Sequence, residues 1–422
     1  MPYMDTECKA SGDRLPFGVH TRYPMRCRIL LSLALLTSLY ASAVSPADAR
    51  HAEKGATGTW QATYGPSVRG TGELRGVTAL STNDVWIVGV NFNRPFFDHW
   101  NGRNWARVSA ADPAARVAGA TSQLSAVVGL AGAGAWAVGE WGACPYHPLI
   151  ERWTGRHWNT FSANIPATWI ASLSSVAVVS ATDAWAVGSY ANPAGACEGP
   201  APGIQRRYRP LVEHWNGKRW SQVAAPADPR GDNGLVSVSA ISPRDIWLAG
   251  NVVWGATRQP LVERFDGRHW HIIQMPDQHV RREVNQIRAI RSDDVWLVGD
   301  YWSDRVPSHT LIEHWNGSSW AIIASPNSAC PLNRLTSIQM LGTDSGWSVG
   351  VGTYCGHSNI RVVGLIEYWN GRMCSLVRFP ASGVALWSLV FPTPARGWAV
   401  GNWTSPGGRT RPLIEQYLAK GH

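Results

Sequence analysis

Beyond residue 50 the sequence has no run of the ~18 apolar residues that a membrane-spanning helix needs, so a helical membrane anchor downstream is not expected. Charge is also sparse. Only 16% of residues are Asp, Glu, Lys or Arg, against about a quarter in ordinary soluble domains. The net charge is +9, but the arginines are scattered, and the only adjacent pairs are Arg206-Arg207 and Arg281-Arg282. A nucleic-acid-binding chain gathers its charge on one face, so no specific nucleic-acid partner is expected. Cysteines are few and never spaced C-x-x-C, which argues against a structural zinc site. Neither H-E-x-x-H nor a phosphate-binding loop occurs, which removes two common catalytic signatures. No cofactor, metal or catalytic residue is assigned.

Against this thin background stand 24 tryptophans and 42 glycines. Many flat side chains and many turns suggest an all-β repeat chain. At the start, residues 25–49 show a basic opening (Arg26, Arg28), an apolar run through Val44 and an Ala47-Asp48-Ala49 cleavage pattern. That is the layout of a secretory signal peptide. The expected organisation is an upstream extension (1–24), the signal peptide (25–49), a linker (50–57) and one repeat domain (58–418). The mature chain is expected to be secreted, extracellular and monomeric.

The repeat is written in three phrases. The first, Trp-x-Val-Gly and its variants, recurs at Trp86, Trp136, Trp185, Trp247, Trp296, Trp347 and Trp398, about 50 residues apart except for one interval of 62. The second carries an acid: Asp98, Glu151, Glu213, Glu263, Glu313, Glu367 and Glu415. It usually continues as "HWNG", "RWTG", "RFDG" or "YWNG". A further tryptophan follows the turn at Trp105, Trp158, Trp220, Trp270 and Trp320, with Cys374 in that place in the sixth repeat. Each unit reads as four short strands: an alternating run such as "LVSVSAI" (a), the Trp-x-Val-Gly phrase (b), the acid phrase (c), and a strand opened by the last tryptophan (d). Asn-Gly or Asp-Gly between c and d is a hairpin signal. The acids are expected to hold strand c in register.

The seventh unit lacks strand d. Its sequence counterpart, "GTWQATYGP", stands at Gly58 to Pro66, before the first unit. The expected fold is therefore an all-β, seven-bladed β-propeller of four-stranded antiparallel blades. Its ring is closed by the N-terminal strand, which completes the last blade and covers two sheet edges. A linear solenoid would leave the displaced strand unexplained. The phrases resemble the "WAVG…IEHWNG" repeats of secreted bacterial β-propeller proteins. More distantly they are similar to galactose-oxidase, kelch and tectonin-type propellers. The resemblance covers residues 58 to about 418 and implies a fold without an activity: the kelch Gly-Gly pair and the sialidase Ser-x-Asp-x-Gly-x-Thr-Trp box are both absent.

Function is expected on the b–c and d–a connections, which vary in length at one end of each blade. Just past strand b stand Trp141, Tyr190, Trp254, Tyr301, Trp302, Tyr354 and Trp403, beside Glu140, Asn251, Asp300 and Asn402. Aromatic faces stack on the apolar faces of sugars, while amides and carboxylates bind hydroxyls. This points to a non-catalytic binding propeller for an extracellular glycan or cell-wall polymer, with a protein partner as the next candidate. The alternative is a secreted polysaccharide-active enzyme. For it, Asp300 with Glu140 could form a carboxylate pair, and His147 and His357 could act as bases. Cys144 and Cys197 fall in the b–c loops of blades 2 and 3, while Cys330 falls in the d–a loop entering blade 6 and Cys355 in that blade's b–c loop. The expected disulfides are 144–197 and 330–355, with Cys374 left as a buried thiol.

Overall fold

Alternation of apolar and polar residues becomes alternation of buried and accessible ones. Strand a of blade 4 (Asp232–Ser242) buries every second residue over its first half. The computed structural model of the chain describes residues 58–63, 72–191, 207–276, 280–327, 330, 332–355, 360–377 and 382–420. The expected extension, signal peptide and linker (1–57) lie outside these residues, as do Cys197 and His357. The described strands form seven four-stranded antiparallel sheets. Blades 1 to 6 span 72–108, 121–161, 170–222, 232–272, 281–322 and 333–376. No described helix is long and apolar enough to cross a membrane.

Blade 7 has strands a to c from 384–419, and its strand d is Gly58–Thr63. The N-terminal strand pairs with Thr410–Ala419 from Gly58↔Ala419 to Thr63↔Ile414, with Trp60 opposite Tyr417. The ring is therefore closed as the displaced phrase implied.

The tryptophans fill the wedges between blades. Trp86 of blade 1 meets Trp153 and Trp158 of blade 2 at 4.6 and 5.2 Å between ring centroids. Trp136 meets Trp215 and Trp220 in the same way, at 5.1 and 5.0 Å. At the closing seam Trp347 meets Trp60 at 5.6 Å and Tyr417 at 4.9 Å. Trp60 thus holds the place that Trp158 and Trp220 hold elsewhere. Cys374 holds it in blade 6, as a free thiol buried against Trp296.

The glycine of Trp-x-Val-Gly is set by a β-bulge. Strand a of each blade slips register by one residue at this level, for example between Val284 and Gln286. The slip drives a strand-a carbonyl against the glycine on strand b. A Cβ on Gly299 would sit 1.9 Å from the Glu283 carbonyl oxygen, and one on Gly89 or Gly188 would meet the equivalent oxygen at the same distance. Backbone on both sides leaves no room to yield. Gly299→Ala is therefore expected to cost about 3 kcal/mol, at the upper end for overpacking. A denaturant melt showing no loss would contradict the bulge as the reason for the motif.

The c–d turns differ in detail from the hairpin signal. Trp100 pairs with Trp105, so the loop has four residues rather than two. Only the glycine takes positive φ, +91° at Gly102 and +94° at Gly317. The asparagine works through its side chain: Asn101 Oδ1 accepts from the N–H groups of Arg103 and Asn104, both at 3.0 Å. This is an Asx cap.

Adjacent blades are clasped at the channel wall. Strand a is the inner edge of each blade, so backbone groups on its open side have no sheet partner, and side chains of the neighbouring blade take them up. Ser237 Oγ accepts from Ile287 N at 3.1 Å, and Ser239 Oγ accepts from Ala289 N at 3.0 Å. Gln339 closes both ends of Phe391, accepting from its N–H at 2.8 Å and donating to its carbonyl at 2.9 Å. At the closing seam Ser388 Oγ accepts from Val77 N at 3.3 Å.

Candidate functional site

The a–b and c–d turns gather at one end of the blades, while the b–c and d–a connections gather at the other. The aromatic residues expected at that second, variable face all stand at the ends of strand b. Trp141 packs on His147 at 5.1 Å. Tyr190 lies flat against Trp169, with ring centroids 4.8 Å apart and planes 5° from parallel. Arg230 covers the Trp254 ring at 4.5 Å. Tyr301 Oη is 3.2 Å from His309 Nδ1. Trp403 Nε1 donates to the Ser382 carbonyl at 3.2 Å. All of these rings and Trp302 are half-buried, and Tyr354 is 62% exposed. Trp169 belongs to this set and was not anticipated. Its signal was available: it is a tryptophan outside the three phrases, on a d–a connection.

The polar companions are more committed. Asn251 spends both ends of its amide on Val284 of the next blade, accepting from N–H at 2.9 Å and donating to the carbonyl at 3.0 Å. Asn402 is buried, with Trp387 Nε1 3.2 Å from its amide. Glu140 accepts from the Gln123 amide of its own blade. Asp300 accepts from Arg334 Nε at 3.1 Å and from Ser308 Oγ at 3.0 Å. Arg334 also approaches Glu283 at 3.5 Å, and Arg258 pairs with Glu283 at 2.6 Å. An ion network thus joins blades 4, 5 and 6 at this face. Burial holds the Asp300 carboxyl above its ordinary pKa, although Arg334 pulls the other way. His147 and His309 are both pushed down by burial.

Cys330 and Cys355 form a disulfide with Cα atoms 5.7 Å apart. It joins the d–a connection entering blade 6 to the end of that blade's strand b. Cys144 is also disulfide-bonded. Its expected partner Cys197 lies outside the described residues.

The seven acids of the second phrase make contacts beyond strand c itself. All seven are buried, and some reach the connection that enters their blade while others pair within it. Glu151 Oε2 accepts from Ala111 N at 3.0 Å, and the Glu367 carboxylate accepts from Ser325 Oγ at 2.9 and 3.0 Å. Asp98 pairs with Arg107 and Glu313 with the buried Arg282. Desolvation dominates their titration, raising Glu151, Glu263 and Glu367 to about 8 and Glu213 and Glu415 to about 7.

One catalytic spacing does occur in the sequence, G-x-S-x-G at Gly346-Trp347-Ser348-Val349-Gly350. The structure gives it another meaning. Ser348 is buried in the middle of strand b of blade 6, paired across to Glu367, and the two glycines belong to the blade repeat. A nucleophile elbow instead exposes its serine on a sharp strand-to-helix turn. Among the described residues no cluster of three or more His, Cys, Asp or Glu could hold a metal ion.

No protein-family model matches the sequence, and no curated protein does. Solved structures match in fold only. A protein of unknown function from Dyadobacter fermentans shares 9% identity at a TM-score of 0.46, over 86% of this chain and 98% of that one. The Aleuria aurantia lectin in complex with Fucα1-6GlcNAc shares 12% identity at a TM-score of 0.43, over 74% and 97% of the two chains. A subtype N11 neuraminidase-like protein of A/flat-faced bat/Peru/033/2010 (H18N11) shares 9% at 0.38, over 87% and 95%. Likeness at this level carries no ligand or activity to this chain.

Proposed function

We propose that this chain is a secreted binding propeller that holds an extracellular carbohydrate or cell-envelope polymer on its variable face, without catalysis. The observation that carries the reading is the aromatic set at the ends of strand b. Trp141, Tyr190 with Trp169, Trp254, Tyr301 with Trp302, Tyr354 and Trp403 come from six blades. Apart from the exposed Tyr354, each ring is half-buried, anchored in the protein yet accessible. A polymer crossing the face would meet a succession of such platforms. The rigid ring beneath keeps them in place, so little ordering is required on binding.

The carboxylates offered for an enzyme are already engaged. Asp300 serves the inter-blade ion network and Glu140 is bonded to Gln123. Export is proposed from the Met25–Ala49 pattern, and the Cys330–Cys355 bridge supports it, since disulfides persist outside the reducing cytosol. Kinship with the secreted bacterial "WAVG…IEHWNG" propellers is proposed on the same footing.

Replacing Trp141, Tyr301 and Trp403 together with Ala is the direct test. Affinity for glycans on an array, or co-sedimentation with insoluble cell wall, is expected to fall at least tenfold while the thermal transition stays cooperative. Undiminished binding in the triple variant would refute the aromatic face. New reducing or unsaturated ends in a polysaccharide digest would move the reading to an enzyme.

A further inference from the structure

The central channel carries two arginines and no carboxylate. It is a cavity of about 370 Å³ walled by strand a of all seven blades. Its lining includes Arg75, Arg288, Trp387, Ser125 and Ser174, with no Asp or Glu. We propose that this channel is a binding site for one oxyanion-bearing group, a carboxylate, sulfate or phosphate, drawn in by the guanidinium groups of Arg75 and Arg288 that line it.

Arg288 is the residue that breaks the pattern of the wall. In every blade one strand-a residue lies opposite the motif tryptophan. In blade 5 this is Arg288, opposite Trp296. In blades 1, 4 and 6 the same place holds Thr78, Ser239 and Gln339. Those three clasp the next blade through Gly129, Ala289 and Phe391. In blades 2, 3 and 7 the place holds Val128, Ala177 and Val390. Arg288 neither clasps nor fills. Its side chain is open to the lumen, yet protein encloses it so closely that desolvation lowers its pKa, with no opposing charge to offset the effect. A cation held there is stabilised by an anion entering the channel.

Arg75 occupies the bulge of blade 1, where blades 2 and 3 carry Ser125 and Ser174. It pairs only with Glu73 two residues before it, at 3.2 Å and half-exposed, an ion pair of small worth that a ligand can displace. Trp387 fills the bulge of blade 7 and puts a half-buried indole into the same lumen. A planar guanidinium fork matches the paired oxygens of a carboxylate or sulfate. The cavity volume also suits a single sugar ring carrying such a group.

The test uses the neighbouring blades as a guide to safe substitutions. Arg75→Ser and Arg288→Gln install the residues that blades 2 and 6 hold at the same places, so the double variant is expected to fold. Titration calorimetry in a low-salt amine buffer would use sodium sulfate and sodium glucuronate as probes. One-to-one binding by the wild type, weakened at least tenfold in the double variant, is expected. Sulfate binding alone would assign the site to a free ion, and stronger glucuronate binding to an acidic sugar; both keep the proposal. A wild type that binds neither probe, or a double variant that binds them equally well, would overturn it. A second readout needs no variant. Sulfate is expected to slow phenylglyoxal modification of Arg288, followed by peptide mass, and an unchanged rate would count against the site. The Trp141, Tyr301 and Trp403 triple variant should retain sulfate binding, so this site and the aromatic face fail independently.

Discussion

Trp60→Ala should lower stability by about 3 kcal/mol, the lower end for a large aromatic lost from a core, because the ring is half-buried. Removing Gly58–Thr63 altogether should abolish the single cooperative transition. The physical reason is position. Trp60 reaches into the aromatic cluster of the closing seam, touching Trp347, Phe391 and Tyr417 at 5.5 to 5.8 Å between ring centroids. The strand also covers the outer edge of Thr410–Ala419 with six register pairs. Without it that edge is bare, and an uncovered edge invites pairing with another chain. The shortened protein is therefore expected to elute as aggregates in size-exclusion chromatography. A monomeric, cooperatively melting protein lacking residues 58–63 would show that closure does not hold the ring.

Stability should fall as pH rises from 5 to 9, the reverse of what paired surface carboxylates give. An unfolded glutamic acid titrates near 4.5, whereas folding raises Glu151, Glu263 and Glu367 to about 8 and Glu213 and Glu415 to about 7. Burial is the first cause in each. Below pH 4.5 both states are protonated and the contribution is whole. Between 4.5 and 8 the unfolded chain releases protons that the folded chain still holds, so unfolding is favoured. Above 8 both are ionised and the loss is complete. A melting temperature about 10 °C lower at pH 9 than at pH 5 is expected for a loss of several kcal/mol in a ring of this size. Glu263, whose two carboxylate oxygens have no hydrogen-bond partner, gives the sharpest check. Glu263→Gln should melt higher than the wild type at pH 9 and close to it at pH 5. Glu313→Gln should behave differently, because it strands the buried Arg282 and should destabilise at both values. Equal melting of the wild type across the range would mean the acids are not protonated inside the fold.

The ring was legible because its signals are long-range and redundant. Seven Trp-x-Val-Gly phrases count the blades, and the absent strand after Glu415 with its counterpart at Trp60 announces the closure. The variable face followed from loop lengths. The clasps at the channel wall were hidden. Ser237, Ser239 and Gln339 are ordinary polar residues on alternating strands, and only the assembled ring shows that each faces an unpaired edge group of the next blade. The clasp made by Asn251 is hidden for the same reason, since its partner Val284 is 33 residues away. Arg288 carries no motif either. It stands out only once the seven strands are laid in register and its counterparts are seen to be clasps or small apolar groups.

The closing strand also decides which way the molecule faces when it is tethered. Gly58 and Ala419 are register partners, and Ala419 N donates to Ala395 O at the a–b turn of blade 7, 2.9 Å away. Both described ends of the ring thus leave at the side of the short, uniform turns. A tag, a fused partner or a surface attached through either one lies behind the disc, and the aromatic side is presented to the surrounding solution.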